Sequence, residues 1–426
     1  VVFRKQRIEV ATEYHAFGGV ARVLVPGHGW GAVAFADPDQ ALAAVRRAAE
    51  LSAETRPERV IALAPIPIRQ VEVPVDLPDD PRLVPLAQKR EVLEQWTAEL
   101  LSTDRRVTDS RTSYGDTVVE TWLATSEGVW LHDLNAETTA AALAIASEAG
   151  STDRAVGSFA ARGGFAGIHG GAGVFADTAT RAVDRLAARM IAPGRYPVVL
   201  DPRASGGLIL QGIVNLCRSR SRGLERELLP LGMRLGPEFL SVGDDPTVPG
   251  LRTSLVLDDE GTPVSHQMLV QNGVVVGHLH TRESAATDAA TATGHALAPT
   301  LRSIPMARPT NPYLVKGQGD LAAMLGEVSL GIYLTELVGL TIEGRRVTLV
   351  PGVGTMIRGG ALAEPVKCPP LSVDLLALFG RLDRVAGDFV WDQGATGLHD
   401  AGPLRPITTG APHTRFLDLE VGTLQS

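Results

Sequence analysis

His278 and His280 are the one histidine pair in this 426-residue sequence whose strand register can be argued to a single face. Zinc is held by three or four converging side chains, and a sequence usually signals such a site by close spacing of at least two. Just upstream, Asn272-Gly273 is a type I′ hairpin signal. That turn pairs Gln271 with Val274 and predicts His266 opposite Leu279. His278 and His280 then share the other face of the strand pair, with Cα atoms about 6.5 Å apart. His266 would face away, so no third ligand completes the set. A surface or incidental role is expected for the pair, with a metal pair as the lesser alternative.

Other groups offer less chemistry. Asp258-Asp259-Glu260 and Asp244-Asp245-Pro246-Thr247 have turn composition, in which an Asp side chain bonds nearby backbone. Neither carries a His at the spacing of paired acid–base work. Cys217 is followed by Arg218, Arg220 and Arg222, whose charges could lower a thiol pKa. No base accompanies it, so a buried small hydrophobe is expected. The arginines close a helix, where cations suit the dipole, with an acidic partner surface or a peptide carboxylate as a lesser role. Without interleaved aromatics they make no nucleic-acid tract. Gly163-Gly164, Gly167, Gly170-Gly171 and Gly173 lack the GxGxxG arrangement and predict a flexible or tightly turned loop. His169, set among them, is the first side chain to examine in a catalytic reading, because a glycine-flanked His is seldom core filler.

Those residues must be positioned by predicted elements. Strands are expected at Arg7–Thr12, Gly19–Val25 and Trp30–Ala36. A helix follows over Ala41–Thr55, with Asp37 and Pro38 at its start and Leu42, Val45, Ala49 and Leu51 at helical spacing. A second helix spans about Val84–Leu101, with Leu93, Trp96 and Leu100 on one face. Residues 116–146 read as an antiparallel meander turning at Ser126-Glu127-Gly128. A long helix is predicted over about Ala176–Ile191, another over Arg203–Arg218, and a second meander over 251–281. Strands then follow at Gly331–Leu337, Arg346–Pro351 and Gly354–Arg358, with a helix near Val373–Phe379. From Gly387 onward the chain looks turn-rich.

The length favours two domains, divided near IAPGRYPVVL (191–200) into 1–192 and 193–426. The expected class is α+β: an N-terminal α/β-like domain with antiparallel sheet and packed helices, and a C-terminal domain dominated by antiparallel sheet. A net charge of −8 disfavours a broad phosphate-binding surface. Two cysteines make no disulfide framework and suit a reducing compartment. No apolar run of membrane-spanning length occurs. VVFRKQRIEV has no signal-peptide pattern and no initiator Met, which predicts a cytoplasmic protein with a few residues ahead of Val1, absent or disordered.

The segments PVVLDPRASGGLILQGIVNLCRS (197–219), LSVGDDPTVPG (240–250) and DDEGTPVSHQMLVQNGVVVGHLHTRESA (258–285) resemble the TldD/PmbA (TldD/TldE) family. RPTNPYL (308–314), GIYLTELVG (331–339), GAPHTRFLDLEVG (410–422) and the opening GGVARVLVPGHGWGAVAFA (18–36) extend the likeness over essentially the whole chain. The resemblance implies a zinc metallopeptidase that processes small peptides beside a metal-free paralogue, the two subunits enclosing a cavity. The active subunit carries HExxxH and a later Cys.

In this sequence the HExxxH positions fall on Leu210, Gln211 and Asn215, and the Cys position falls on His399 in GLHDAG (397–402). An aliphatic chain cannot coordinate, Gln211 cannot take a proton from water as a glutamate does, and an amide oxygen is a weak donor. His399 would be one ligand. The resemblance therefore implies a non-metal subunit without a cofactor, shaping the substrate cavity and stabilising a TldD-like paralogue with an intact HExxxH. The alternative is a stand-alone, metal-independent enzyme on a small peptide or natural product, using Asn215, His399 and His169 as polar groups. A homodimer of the isolated chain is a further expectation.

Overall fold

A computed structural model of the chain describes residues 1–426 apart from 74–76, 78, 172, 220–228, 395–396, 399–404 and 423–426, with the backbone alone described at 397–398 and 405–406. His399, Arg220 and Arg222 lie outside the described residues.

The N-terminal region is built on a six-stranded sheet dominated by two long strands, Val107–Ala124 and Trp130–Glu148. They pair antiparallel from Val107↔Ala146 to Ala124↔Trp130 around the predicted turn. Ser151–Arg162 extends the sheet beyond them. On one face of Trp130–Glu148 every second residue from Ala136 to Ala146 is buried, and all but Thr138 are alanine. Small side chains there let the helices Leu86–Ser102 and Val174–Ala187 lie close, filling the space with Leu93, Trp96, Leu100 and Phe175.

The helix Ala41–Glu54 forms, but it buries a different face from the expected one. Ala44, Ala48 and Ser52 are buried, while Leu42 and Val45 are 62% and 46% exposed. The cause is a close backbone approach. A Cβ at Gly31, on the hairpin strand Trp30–Phe35, would stand 1.8 Å from the Ala48 carbonyl oxygen. Only small residues fit along that contact.

The C-terminal region carries a seven-stranded sheet ordered Leu382–Val385, Thr414–Val421, Gly194–Leu200, Leu330–Leu334, Val353–Arg358, Ala361–Lys367 and Arg189–Met190. A second, six-stranded sheet runs Val274–Val275, Gln267–Gln271, Val242–Asp244, Pro312–Leu314, Thr409–Ala411 and Val390–Asp392. Most neighbours are antiparallel, and the helix Pro202–Ile209 packs against the second sheet at Thr409–Ala411, its side chains joining the main C-terminal core. The architecture is thus the expected α+β arrangement.

Several predicted elements change. The helix expected to reach Ile191 stops at Ala187, because Arg189–Met190 pairs with Ala361–Lys367. The segment after Gly387 contains Thr414–Val421, paired on both edges inside the seven-stranded sheet. The helix near 373 starts only at Leu375, after Asp374 caps it. Gly163–Gly173 holds a 3-10 helix, Phe165–Gly171, between a strand and a helix; a Cβ at Gly170 or Gly171 would meet the Phe159 ring at 2.8 Å.

Candidate functional site

Asp201 ends the strand Gly194–Leu200 and caps the next helix, its Oδ1 accepting from the Ala204 amide at 2.7 Å, with Pro202 at the first helical position. The helix then widens into a π turn over Leu210–Val214, in which the Asn215 amide donates to the Leu210 carbonyl at 2.8 Å. Such a turn brings residues five apart over one another. Positions 210 and 215 are therefore neighbours on successive turns.

The side chains there are Leu210, fully buried against Ile407, and Asn215, whose Nδ2 lies 3.5 Å from Gln211 Oε1. Asn215 Oδ1 is buried without a hydrogen-bond partner among the described residues. The zinc that the resemblance implies does not fit this donor set. Leu210 offers no lone pair and seals its position with apolar contact, and the two amides are neutral. Among the described residues, no group of three or more His, Cys, Asp or Glu side chains is placed to hold a metal ion.

The other predicted residues are dispersed. His169 is exposed on the 3-10 helix, its ring 6.3 Å from that of Phe165, and that helix packs against the N-terminal strands Trp130–Glu148 and Ser151–Arg162. Gln271 does pair with Val274, and Asn272 and Gly273 have φ of 51° and 75°, as the type I′ turn requires. The pairing then ends at Val270↔Val275. Leu279 donates to the Cys217 carbonyl and bridges Arg218, so it does not oppose His266. His278 and His280 are both buried, against the expected surface role. Their rings are 6.3 Å apart, but His278 Nε2 bonds the Leu229 carbonyl and His280 Nδ1 bonds Ser284 Oγ. Cys217 is buried, as its apolar surroundings predicted.

The acidic groups do more than shape turns. Asp244 is fully buried at the end of its strand and accepts from the Thr310 and Asn311 amides and from Thr310 Oγ1. Glu260 Oε1 accepts from Arg22 at 2.9 Å and its Oε2 from the Arg282 amide at 2.8 Å. Arg282 in turn grips Glu127 with both terminal nitrogens, at 2.5 and 2.7 Å, and donates to the Ala64 carbonyl. Glu260 and Arg282 therefore tie N-terminal segments to the C-terminal region.

One polar chain escaped the sequence reading altogether. Tyr333 Oη lies 3.1 Å from His413 Nε2, and His413 Nδ1 lies 2.7 Å from Asp388 Oδ2. Asp201 is close by: burial, with Asp201 and Asp388 adding negative charge, pushes the Tyr333 phenol above its ordinary range. Burial likewise raises the Asp201 carboxyl to about 7, opposed by its hydrogen bond from Ala204. The available signal was His413 within the family-like close GAPHTRF, but its partners stand 80 and 25 residues away.

Comparison with known proteins matches residues 193–423 to the PmbA/TldA metallopeptidase C-terminal domain and residues 79–190 to the PmbA/TldA metallopeptidase central domain. A metalloprotease of Synechocystis sp. is 30% identical over 99% of this chain and 92% of its own length. A metalloprotease of Methanothermobacter thermautotrophicus is 29% identical over 58% of this chain and 54% of that one. Among solved structures, a Thermotoga maritima protein described as a candidate modulator of DNA gyrase superposes with a TM-score of 0.80 at 20% identity, covering 99% of this chain and 92% of that one. TldE from Thermococcus kodakarensis superposes with a TM-score of 0.74 at 15% identity, covering 99% and 93%. With a full-length relative at this identity and a family profile over more than half its residues, the chain belongs to the TldD/PmbA metallopeptidase family.

Proposed function

We propose that this chain is the non-metal subunit of a heterodimeric TldD/TldE-type peptide-processing protease. It forms part of the substrate cavity and stabilises a metal-bearing paralogue in the cytoplasm. We propose also that it divides at 192/193 into two TldD/PmbA-like domains; the gap between a central-domain match ending at 190 and a C-terminal-domain match starting at 193 supports the boundary. The observation that carries the function is Leu210, fully buried against Ile407 where the resemblance puts the first zinc ligand. A π turn that brings positions 210 and 215 together but presents a hydrocarbon and an amide suits a subunit that keeps the family's shape without its metal.

Co-expression with a family member bearing an intact HExxxH tests this. The expected result is a stable complex with zinc bound only to the partner and peptidase activity only in the complex. Stoichiometric zinc on the purified chain, or failure to bind any such paralogue, overturns it.

One observation favours a second reading, a stand-alone, metal-independent enzyme on a small peptide or natural product. The Tyr333–His413–Asp388 chain is a hydrogen-bonded series of the kind that moves protons, and Asn215 Oδ1 is a buried acceptor left open. Activity of the chain alone in excess chelator, lost in His413→Gln, would replace the first reading with this one.

A further inference from the structure

Thr409 and Ala411 face the helix at Gly206, so Gly410 between them faces the other side of the six-stranded sheet. That side carries a transverse row across five strands: Met268, Gly243, Tyr313, Gly410 and Trp391. Large and absent side chains alternate along it, for a steric reason. A Cβ at Gly243 would stand 2.7 Å from Tyr313 Cε1, and one at Gly410 would stand 2.4 Å from Phe389 Cζ and 2.7 Å from Trp391 Cε3. The three rings therefore rest over bare backbone. They meet edge to face, with centroids 5.1 to 6.5 Å apart, and Tyr313 Oη is fixed by His266 Nε2 at 2.8 Å.

These rings line a cavity of about 510 Å³ whose walls also carry Asp245 and Asp388. Asp245 Oδ1 is used by the Thr247 amide and hydroxyl, while its Oδ2 accepts nothing among the described residues. Asp388 bonds the ring and amide of His413, which leaves acceptor capacity on a carboxylate with about four lone-pair sites. The described lining residues hold two carboxylates and one cationic side chain, the exposed Lys316. A neutral apolar occupant would cover Asp245 Oδ2 and the remaining lone pairs of Asp388 without offering a donor, and an anion would be repelled. A cation on an aliphatic stem satisfies both the rings and the acids.

We propose that this cavity binds a basic side chain of a peptide, its methylenes on Tyr313, Phe389 and Trp391 and its cation at Asp245 and Asp388. The peptide identity rests on the functional reading above, whereas the preference for an alkyl cation does not depend on a partner subunit.

Calorimetric titration of the whole chain with end-blocked Gly-Arg-Gly and with the uncharged isostere Gly-citrulline-Gly tests it. The arginine peptide should bind, the citrulline peptide on the order of ten-fold more weakly. Asp245→Asn, which keeps the Oδ1 contacts with Thr247, should weaken the arginine peptide by about five- to ten-fold, with an unchanged circular dichroism spectrum. Equal affinity for the two peptides, no binding of the arginine peptide at millimolar concentration, or no effect of Asp245→Asn overturns the proposal. Retention of an HExxxH-bearing paralogue by the Asp245→Asn chain separates such a failure from a failure of the subunit reading.

Discussion

Leu210 and Ile407 close on each other as a two-residue apolar cluster, 0% and 2% exposed, at the position the resemblance assigns to the first histidine of HExxxH. The contact makes Leu210 a packing residue, and its removal should behave as a core truncation. Leu210→Ala should cost about 2–5 kcal/mol in urea unfolding. Leu210→His should cost about as much, because the imidazole would enter a closed apolar space without a partner. A Leu210→His protein as stable as the parent would mean that the position is open to solvent or ligand.

Asp201 predicts a pH dependence. Its folded-state carboxyl is raised from 3.8 to about 7 by burial, so the folded state holds the proton more tightly than the unfolded chain does. This contribution is fully present below pH 4 and is lost as pH rises from 4 to 7. At about 1.4 kcal/mol per pH unit, the loss over this window is on the order of 4 kcal/mol. Asp201→Asn keeps an oxygen to cap Ala204 and cannot ionise. Its stability relative to the parent should therefore increase between pH 4 and 7 and level off above. Parallel curves for the two proteins would show that Asp201 titrates near its ordinary value.

Arg282 and Glu127 should respond unequally to substitution. The Arg282 side chain is 6% exposed and that of Glu127 47%, so the pair is buried at one end only. Arg282→Met leaves Glu260 facing a lost charge and the Ala64 carbonyl without its donor, at a cost of about 2–4 kcal/mol. Glu127→Gln keeps an acceptor in a half-exposed place and should cost less than about 1 kcal/mol. Denaturation midpoints of the two variants give the comparison, and equal losses would contradict it.

Gly410→Ala should displace the Phe389 and Trp391 rings, since the added methyl overlaps both. A loss of about 1–3 kcal/mol is expected, with a changed near-ultraviolet dichroism signal from Trp391. Unchanged signal and stability would mean that the rings have room to move.

Much of the architecture could be read from local pattern, and the exceptions share a physical cause. The type I′ turn at Asn272-Gly273 was legible because two residues dictate it. The ladder beyond Val275 was not, because Leu279 pairs with Cys217 and Arg218, some sixty residues earlier. The helix after Gln40 announced itself, yet its buried face is set by Gly31, whose missing side chain matters only once the hairpin has docked. That Leu210, Gln211 and Asn215 lie near one another could be read from their spacing within six residues, because a single helical turn holds them together. Tyr333, His413 and Asp388 could not, since only pairing of Gly194–Leu200 with both Leu330–Leu334 and Thr414–Val421 brings Tyr333 and His413 alongside each other.

The two-handed carboxylate of Glu260 bears on any attempt to cut the chain into smaller pieces. Arg22, one of its two partners, comes from the opening hairpin, whose Trp30 also donates to Glu283 at 2.7 Å. A fragment lacking that hairpin would carry an acid, 9% exposed, stripped of a cation in the middle of its surface. Excised C-terminal pieces should therefore be sticky or poorly expressed unless the first fifty or so residues are supplied, even in trans.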